Sequence, residues 1–406
     1  MSLVSAAEDD QAEARRELRS RLDRIVSQKA DNAFGTSGAV FAIAARDGTE
    51  VSVAVGEDAR GVPITDDSLT FLASASKLAT GLLILRLMEC GLINLDAEIG
   101  TYLPDARSAS TPGVTIKRLL SHTSGLPLEV AHDLSVPPGP LRLVEGMRWP
   151  NELAAACLAT PPVHEPGTVV QYSNVAFGLL GLMAERVAGQ PFGVLLQEFV
   201  FSPLLIEAYV GRTPDRHVIA VSDIPSPYAR TILEPYNSRT FREMGAPWAG
   251  VITNAAGLQR LVRSYAAQGS LISAHTAELA RTDHAAGLNG GYLTTDPFIA
   301  HGPSRTISWS PCPWGLSIEL QGGKQPHWAP PTMPDSFGQI GSSGCLGWHD
   351  PASGVSWAVL GARTTESGWL VRHGARIAQS ALKAAASLRP SGGEERQPGS
   401  LVEEYS

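Results

Sequence analysis

Segments with the alternating pattern of β-strands lie near both ends of the chain, and the sequence between them is mainly helix and loop. Near the start, Phe41 and Ile43 alternate with small residues, and Asp47-Gly48 marks a turn before valines alternate again, which is typical of a hairpin. Strand character returns only late, in residues 314–320, 336–350 and 354–364. Because strands bury their apolar faces by sharing a packed sheet, we expect one α/β domain built from both termini, with a helical domain inserted.

Helical periodicity predicts where the α-helices lie. Apolar residues recur at helical spacing in segments 9–28, 78–91, 175–189, 255–269 and 368–388. We therefore assign residues 1–77 and 300–389 to a discontinuous α/β domain and residues 78–299 to a mainly helical domain. The polar tail 390–406, rich in Gly, Pro and Glu, is expected to be disordered.

The composition of this 406-residue chain is that of a globular protein. Hydrophobic residues make up 43% and charged residues 18%, which is enough apolar surface for a sizeable core. A formal net charge of −8 argues against nucleic acid as a partner, and no uncharged apolar run reaches membrane-spanning length. The N-terminus lacks a basic segment followed by an apolar one, so we expect a cytoplasmic protein without a membrane partner.

The sequence predicts no metal and no cofactor. Its four cysteines stand far apart, which indicates buried free thiols rather than a metal or redox site. Neither an HExxH motif, a P-loop nor a dinucleotide-binding glycine pattern is present. A G-x-S-x-G elbow is also missing, which argues against a different class of serine hydrolase.

The segment "FLASASKLAT", residues 71–80, places Ser74 three residues before Lys77, where a strand-like segment meets a helix. A spacing of three brings both side chains to one helix face, and the helix N-terminus stabilises negative charge on an oxygen. A partly buried Lys77 would lose its proton readily and act as a base toward Ser74. The alternative is that Ser74 is only a helix N-cap. The same spacing recurs at Ser380 and Lys383, which we interpret as the surface of the closing helix.

Two further segments favour the catalytic interpretation, and a third contains a histidine. Tyr172-Ser173-Asn174 opens a helix, and a tyrosine there can relay a proton while an asparagine can donate to a carbonyl or hold the lysine. The strand 337–348 contains glycines that let a backbone approach a ligand closely. His122, in "RLLSHTSGLP", suggests a triad, but we expect it to lie in an exposed loop or to serve packing.

With these segments in this order, the sequence resembles the serine β-lactamase and penicillin-binding-protein-like acyl hydrolases, in the branch of class C enzymes, carboxylesterases and transacylases. The resemblance runs from about residue 35 to residue 385 and includes "RLLSHTSGLP", "PGTVVQYSNVAFGLLG", "FSPL" and "WAGVITNAAGLQRL". It implies a β-lactamase-like fold, α/β plus all-α, with an antiparallel sheet flanked by helices and an inserted helical domain. The active site would lie in the groove between the two parts.

The resemblance also implies a role for each matching residue. Ser74 corresponds to the acylated nucleophile and Lys77 to its activating base. Tyr172 corresponds to the general acid and base, and Asn174 to a donor that positions the substrate.

The third family motif, Lys-Thr-Gly or His-x-Gly, falls on Gln339-Ile340-Gly341, and the sequence departs from it. Gln339 is neutral and Ile340 carries no hydroxyl, which weakens the case for penicillin-like acids as substrates. Gly341 and Ser342 follow, and the N–H of Ser342 would share an oxyanion hole with that of Ser74.

The implied chemistry is acyl transfer from a small-molecule ester, thioester or amide to water, or to an amine or alcohol. The alternatives are a β-lactamase or D-alanyl peptidase, and a catalytically silent relative that only binds a ligand. Two Pro- and Trp-rich loops, 132–150 and 322–337, either roof the groove and keep it dry or are variable surface loops. The acyl donor, the acceptor and the oligomeric state stay open.

Overall fold

The computed structural model describes residues 3–26, 35–130, 143–285, 287–295, 305–325 and 328–388. The strands in these stretches are β1 (Gly38–Ala44), β2 (Glu50–Gly56), β3 (Thr70–Phe71), β4 (Ala208–Val210), β5 (Val251–Thr253), β6 (Gly290–Thr295), β7 (Arg305–Trp309), β8 (Glu319–Leu320), β9 (Phe337–Gly341), β10 (Cys345–Asp350) and β11 (Val355–Gly361). The α-helices are α1 (Leu3–Val26), α2 (Lys77–Glu89), α3 (Ile116–Leu120), α4 (Asn151–Ala159), α5 (Asn174–Ala188), α6 (Phe192–Leu196), α7 (Arg239–Arg242), α8 (Ala255–Arg263), α9 (Ala274–Arg281) and α10 (Trp369–Ser387).

Strands from both ends of the chain form one six-stranded sheet in the order β2-β1-β11-β10-β9-β8. All of its neighbouring strands are antiparallel. β1 pairs with β2 in the predicted hairpin, where Ile43 lies opposite Val51. The other edge of β1 pairs with β11, where Phe41 lies opposite Val359, so the first and last long strands of the chain are neighbours in this sheet.

The two faces of β1 pack against different helices, because successive side chains along a strand point to opposite faces. Phe41 and Ile43 belong to a core that the sheet shares with α1 and α10 and that also buries Trp357. Val40 and Ala42 belong to the opposite core, shared with α2, α5 and α8. Burial of apolar surface, at roughly 25 cal/mol per Å², therefore holds the sheet between two helical layers.

The sequence does not predict the two smaller sheets. One is antiparallel with the order β3-β5-β4, and the other pairs β6 with β7. β3 has two residues, and β4 and β5 have three each, which is too short for an alternating pattern. Of the strand expected over residues 314–320, only the two residues of β8 form a strand. Ser317, with a φ of 67°, turns the chain just before β8.

The domain boundaries drawn from the sequence stay a prediction. α8 falls inside the predicted helical segment 78–299, yet it packs on the main sheet beside β10 and β11. The approach is so close that a Cβ added to Gly347 would lie 3.0 Å from the Leu258 side chain. The boundary at residue 300 and the tail 390–406 lie outside the described residues.

The second Ser-x-x-Lys pair joins two helices. Lys383 Nζ lies 2.6 Å from Glu17 Oε2, and Arg21 Nε donates to Ser380 Oγ at 3.0 Å. Both contacts tie α10 to α1. The Lys383 side chain is 73% exposed, so water stabilises its charge, as expected for a helix surface. The surface interpretation is wrong for Ser380, which is buried where α10 meets α1.

In the part of the chain that the structure describes, no helix is long and apolar enough to cross a membrane. No group of His, Cys, Asp or Glu side chains in that part could hold a metal ion. The cysteines are free thiols, as predicted. Cys157, Cys312 and Cys345 are buried, but Cys90 is exposed because it lies at the end of α2.

Candidate active site

Ser74 lies in a 3₁₀ turn, Ala73–Ser76, between β3 and α2. Just before the turn, Leu72 donates its N–H to Val251 O at 2.8 Å, which fixes the turn against β5. Ala73 has a φ of 48°, in the left-handed region that residues with a Cβ rarely adopt. Such strain persists only where the surroundings enforce it, and it concentrates at functional sites. The Ser74 side chain is partly exposed and lines a cleft.

Lys77 opens α2, and its side chain is fully buried. Its Nζ lies 3.3 Å from Ser74 Oγ, and it donates to Asn174 Oδ1 at 2.8 Å and to Trp248 O at 3.2 Å. Burial lowers the pKa of Lys77 to about 7, and the negative charge of Glu129 opposes this effect. An amine with this pKa is partly neutral near pH 7, so it can accept a proton.

The start of α5 holds Asn174 in place. The hydroxyl of Ser173 caps the helix and donates to Pro127 O at 2.7 Å. The amide of Asn174 then bridges two ionisable groups, because its Oδ1 accepts from Lys77 and its Nδ2 donates to Glu129 Oε1 at 3.1 Å. Burial raises the pKa of the Glu129 carboxyl to about 7, while the cation of Lys77 opposes the rise.

The ring of Tyr172 contacts both Lys77 and a buried histidine. Lys77 Nζ lies 4.6 Å from the centroid of the Tyr172 ring, and the centroid of the His122 ring lies 4.3 Å from it with the two ring planes tilted by 33°. His122 Nδ1 accepts the N–H of Ser173 at 3.1 Å. Burial lowers the pKa of His122 well below its usual value, so this ring is neutral. The packing role predicted for His122 is confirmed, and the exposed-loop alternative is wrong.

β9 brings the third predicted segment to the Ser74 turn. Gln339 is buried, its Oε1 accepts a backbone N–H of the same strand at 3.2 Å, and its Nε2 has no partner among the described residues. A Cβ added to Gly341 would lie 1.9 Å from Leu72 O, so only glycine permits this approach. Ser342 follows, and its Oγ accepts from Tyr236 OH at 2.9 Å.

One cleft contains most of the predicted site. Ser74, Tyr172, Asn174, Gln339 and Ser342 line it, whereas Lys77 and Gly341 are buried and do not line it. An apolar arm, defined by the apolar side chains beyond Ser74, continues the cleft. It is lined by Leu143, Ile224, Pro225, Pro227, Phe241, Met244 and Trp248.

Three carboxyl groups outside the predicted site also line the cleft. They belong to Glu129, Glu319 and Glu366. Glu129 follows the segment "SGLP" within a stretch that resembles the family, and this position could have drawn attention to it. The other two lie in segments without a motif, so only the tertiary structure reveals them.

The described parts of the two Pro- and Trp-rich loops support the cleft walls. Residues 132–142 of the first loop lie outside the described residues, and Leu143 after them lines the apolar arm. In the second loop, Lys324 Nζ pairs with Glu319 Oε1 at 3.0 Å, and Trp328 Nε1 donates to Glu319 Oε2 at 3.2 Å. Because Lys324 and Trp328 are buried, these described residues hold Glu319 from within the fold.

A protein-family model described as Beta-lactamase matches residues 22–381. The chain belongs to the β-lactamase family. The family resemblance and the fold class predicted from the sequence are therefore confirmed.

Relatives within the β-lactamase family include a penicillin-binding protein and an esterase. Penicillin-binding protein 4 of Amycolatopsis lactamdurans is 29% identical over 261 residues, which cover 60% of this chain and 62% of that protein. Esterase EstB of Burkholderia gladioli is 28% identical over 288 residues, which cover 61% of this chain and 73% of that protein. The match thus spans less than two thirds of the first relative's length.

Solved structures with the same fold include enzymes of different specificity. EstCE1, a hydrolase with promiscuous acyltransferase activity, superposes with a TM-score of 0.67 at 20% identity and covers 92% of this chain and 99% of its own. The D-amino acid amidase of Ochrobactrum anthropi SV3, in complex with D-phenylalanine, has a TM-score of 0.68 at 16% identity and covers 93% and 100%. The chain therefore has the fold of β-lactamase-like hydrolases.

Proposed function

We propose that the protein is a serine acyl-transfer enzyme of the Ser-x-x-Lys type, in which Ser74 forms an acyl intermediate. The observation that carries the proposal is the buried amine of Lys77, 3.3 Å from Ser74 Oγ, with its pKa lowered to about 7. A lysine that only stabilised the fold at this depth would need a carboxylate in direct contact. The described hydrogen-bond partners of Lys77 are instead neutral oxygens of Ser74, Asn174 and Trp248. This environment favours the neutral amine, which is the form that a general base needs.

Acylation begins when Ser74 Oγ attacks the carbonyl carbon of an ester, thioester or amide and its proton moves to Lys77 Nζ. The backbone N–H groups of Ser74 and Ser342 stabilise the oxyanion. The bond to the leaving group then breaks, and the leaving group takes the proton from Lys77 with Tyr172 as the relay. An acyl-Ser74 ester remains.

The second half of the cycle transfers the acyl group to an acceptor. The acceptor loses a proton to Lys77 while its oxygen or nitrogen attacks the acyl carbon, and Ser74 leaves and recovers the proton. Water as the acceptor makes the enzyme an esterase, and an amine or alcohol makes it a transacylase. The apolar arm supports an organic group bound next to the acyl carbon, since it places apolar side chains beside Ser74. EstCE1 is described as a hydrolase with promiscuous acyltransferase activity, which supports the view that hydrolysis and acyl transfer can both occur in this fold.

The third-motif position favours neutral substrates over carboxylic acids. It holds the neutral Gln339, and of the carboxyl groups that line the cleft, Glu319 is already paired with Lys324. A substrate carboxylate would therefore meet no cation at the third-motif position. We therefore rank β-lactamase or D-alanyl peptidase activity below esterase and transacylase activity. The cytoplasmic location stays a prediction.

Intact-protein mass spectrometry after brief exposure to an activated aryl ester tests the proposal. We expect a mass gain of one acyl group in the wild type and none in Ser74→Ala. Ser380→Ala, which removes the serine of the second Ser-x-x-Lys pair, is the matched control and should retain the adduct. Faster loss of the adduct with added amines or alcohols than with water would identify a transacylase.

Absence of an adduct and of turnover with several activated acyl donors would contradict the proposal. It would favour the catalytically silent relative that binds a ligand in the same cleft. An adduct that persists in Ser74→Ala would place the nucleophile elsewhere.

A further inference from the structure

A continuous chain of contacts links Glu129 to the nucleophile. Glu129 Oε1 accepts from Asn174 Nδ2 at 3.1 Å, and Asn174 Oδ1 accepts from Lys77 Nζ at 2.8 Å. Lys77 Nζ then lies 3.3 Å from Ser74 Oγ. Asn174 therefore holds a base on one side and a carboxyl on the other, and neither can move without loss of a hydrogen bond.

The orientation of the Asn174 amide depends on both neighbours. Its oxygen faces the amine of Lys77 and its NH₂ faces Glu129, and a neutral amide that replaced the Glu129 carboxyl could present either a donor or an acceptor. Oε1 of Glu129 accepts from Asn174 whether the carboxyl is ionised or carries a proton on Oε2, so it fixes the amide with its oxygen toward Lys77. The carboxyl thereby selects the orientation that holds the amine beside Ser74.

We propose that Glu129 is a positioning residue for Lys77. Glu129 orients the lysine amine through Asn174, and it sets the pH range in which Ser74 is acylated. The inference rests on the proposed function, since it assigns a role toward the same nucleophile. Two effects support it. The hydrogen-bonded chain fixes where the amine lies, and the negative charge of Glu129 favours the protonated amine.

The two ionisable groups titrate as a pair. Burial brings the pKa of both Lys77 and Glu129 to about 7, from above for the amine and from below for the carboxyl. The charge of each favours the charged form of the other. Between the fully protonated and fully deprotonated states, the pair holds one proton, which resides on either the amine or the carboxyl. The base is available whenever the proton leaves Lys77.

Other ionisable groups face this pair from the surrounding elements. Burial and the charge of Lys77 keep the pKa of His122 well below neutral, so it adds no charge near pH 7. Burial and the charge of Glu129 raise the pKa of the Cys157 thiol on α4, which stays protonated. Glu319 is paired with Lys324, while Tyr172 and Glu366 line the same cleft.

Glu129→Gln tests the proposal through the pH dependence of acylation. The variant removes the negative charge but keeps the size of the side chain. The pKa of Lys77 should then fall, and the acid limb of kcat/KM should move to lower pH by about one unit, as expected when a nearby opposite charge is lost. A residue that only supported the fold would lower the rate without a shift of the limb. Glu129→Asp keeps the charge and should leave the limb near its wild-type position.

Nuclear magnetic resonance gives a readout that does not depend on turnover. The chain has only five lysines, so a protein labelled with ¹³C at lysine Cε has few signals, and Lys77→Arg identifies that of Lys77 by its loss. Its titration midpoint should lie near pH 7 in the wild type and fall in Glu129→Gln. Glu366→Gln, which removes another carboxyl of the cleft outside the hydrogen-bonded chain, should leave the midpoint in place.

Two results would overturn the inference. One is a Lys77 midpoint that is the same in Glu129→Gln and wild type, and the other is an equal shift in Glu366→Gln. Failure of the proposed function would look different, since no acyl-Ser74 would form at any pH while the Lys77 signal still titrated.

Discussion

Gly341→Ala should separate the geometry of the oxyanion site from the stability of the sheet. The added Cβ would lie 1.9 Å from Leu72 O, whereas an ordinary contact begins near 3.4 Å. Leu72 and the end of β9 must therefore separate by the difference, 3.4 − 1.9, or 1.5 Å. Because Leu72 precedes the Ser74 turn and Ser342 follows Gly341, the movement separates the two N–H groups proposed to hold the oxyanion.

The expected loss follows from that displacement. A shift of about 1 Å in a catalytic arrangement costs about 10²-fold in rate, and loss of one oxyanion donor costs about 10²–10³-fold in kcat. We expect kcat for an activated aryl ester to fall by about 10²-fold, equivalent to about 2.7 kcal/mol of transition-state stabilisation. The strain should also lower the free energy of unfolding by about 1–3 kcal/mol.

Gly338→Ala is the matched control on the same strand. A Cβ there would lie 2.1 Å from Gly347 O, a clash of similar severity on the side of β10 rather than of the Ser74 turn. The two variants should lose similar stability by urea denaturation, but Gly341→Ala should lose much more of kcat. Equal loss of kcat in both, or wild-type kcat in Gly341→Ala, would refute the assignment of Ser342 to the oxyanion site.

Three further variants test other parts of the site. Lys77→Arg replaces the proposed base by a group that stays protonated, so acylation of Ser74 should slow by about 10²–10⁴-fold. Circular dichroism should show an intact fold, and an acylation rate within tenfold of wild type would exclude Lys77 as the base. Gln339→Lys places a cation at the third-motif position. It should raise kcat/KM for a carboxylate-bearing β-lactam such as nitrocefin about tenfold relative to kcat/KM for a neutral aryl ester. An unchanged ratio of these two kcat/KM values would contradict the role assigned to this position. Glu319→Gln leaves the buried Lys324 without its counter-charge and should lower the free energy of unfolding, measured in urea, by about 3 kcal/mol. Replacement of both residues by apolar ones should largely remove this loss. A loss below about 0.5 kcal/mol in Glu319→Gln would show that the ion pair contributes nothing to stability.

Features that depend on near neighbours in the chain are predictable from the sequence. The hairpin of β1 and β2 follows from alternation around Asp47-Gly48, and α5 follows from its periodicity and its capping serine. The juxtaposition of Ser74 and Lys77 follows from a spacing of three residues at a helix start. The very short strands β3, β4 and β5 are not predictable, because their pairing comes from segments far apart in the sequence.

The roles of single side chains in the cleft depend on contacts between distant segments. Glu129 approaches Asn174 only because the segment after α3 packs against the start of α5, and no spacing rule relates two residues 45 positions apart. Gly341 is required because β9 meets the turn that follows β3. Neither contact leaves a periodic signal in the sequence.

The sequence by itself determined the candidate chemistry, because the Ser-x-x-Lys spacing and the Tyr-x-Asn segment are local patterns. It could not decide between the two Ser-x-x-Lys pairs by spacing alone, since both are identical in that respect. The tertiary structure gives the two pairs different environments. Lys77 is fully buried with its pKa lowered to about 7, whereas Lys383 is 73% exposed and paired with Glu17. Desolvation lowers the pKa of a lysine toward neutral pH, so that its amine can act as a base. Desolvation arises from packing between distant segments and not from the residues next to the lysine in the chain.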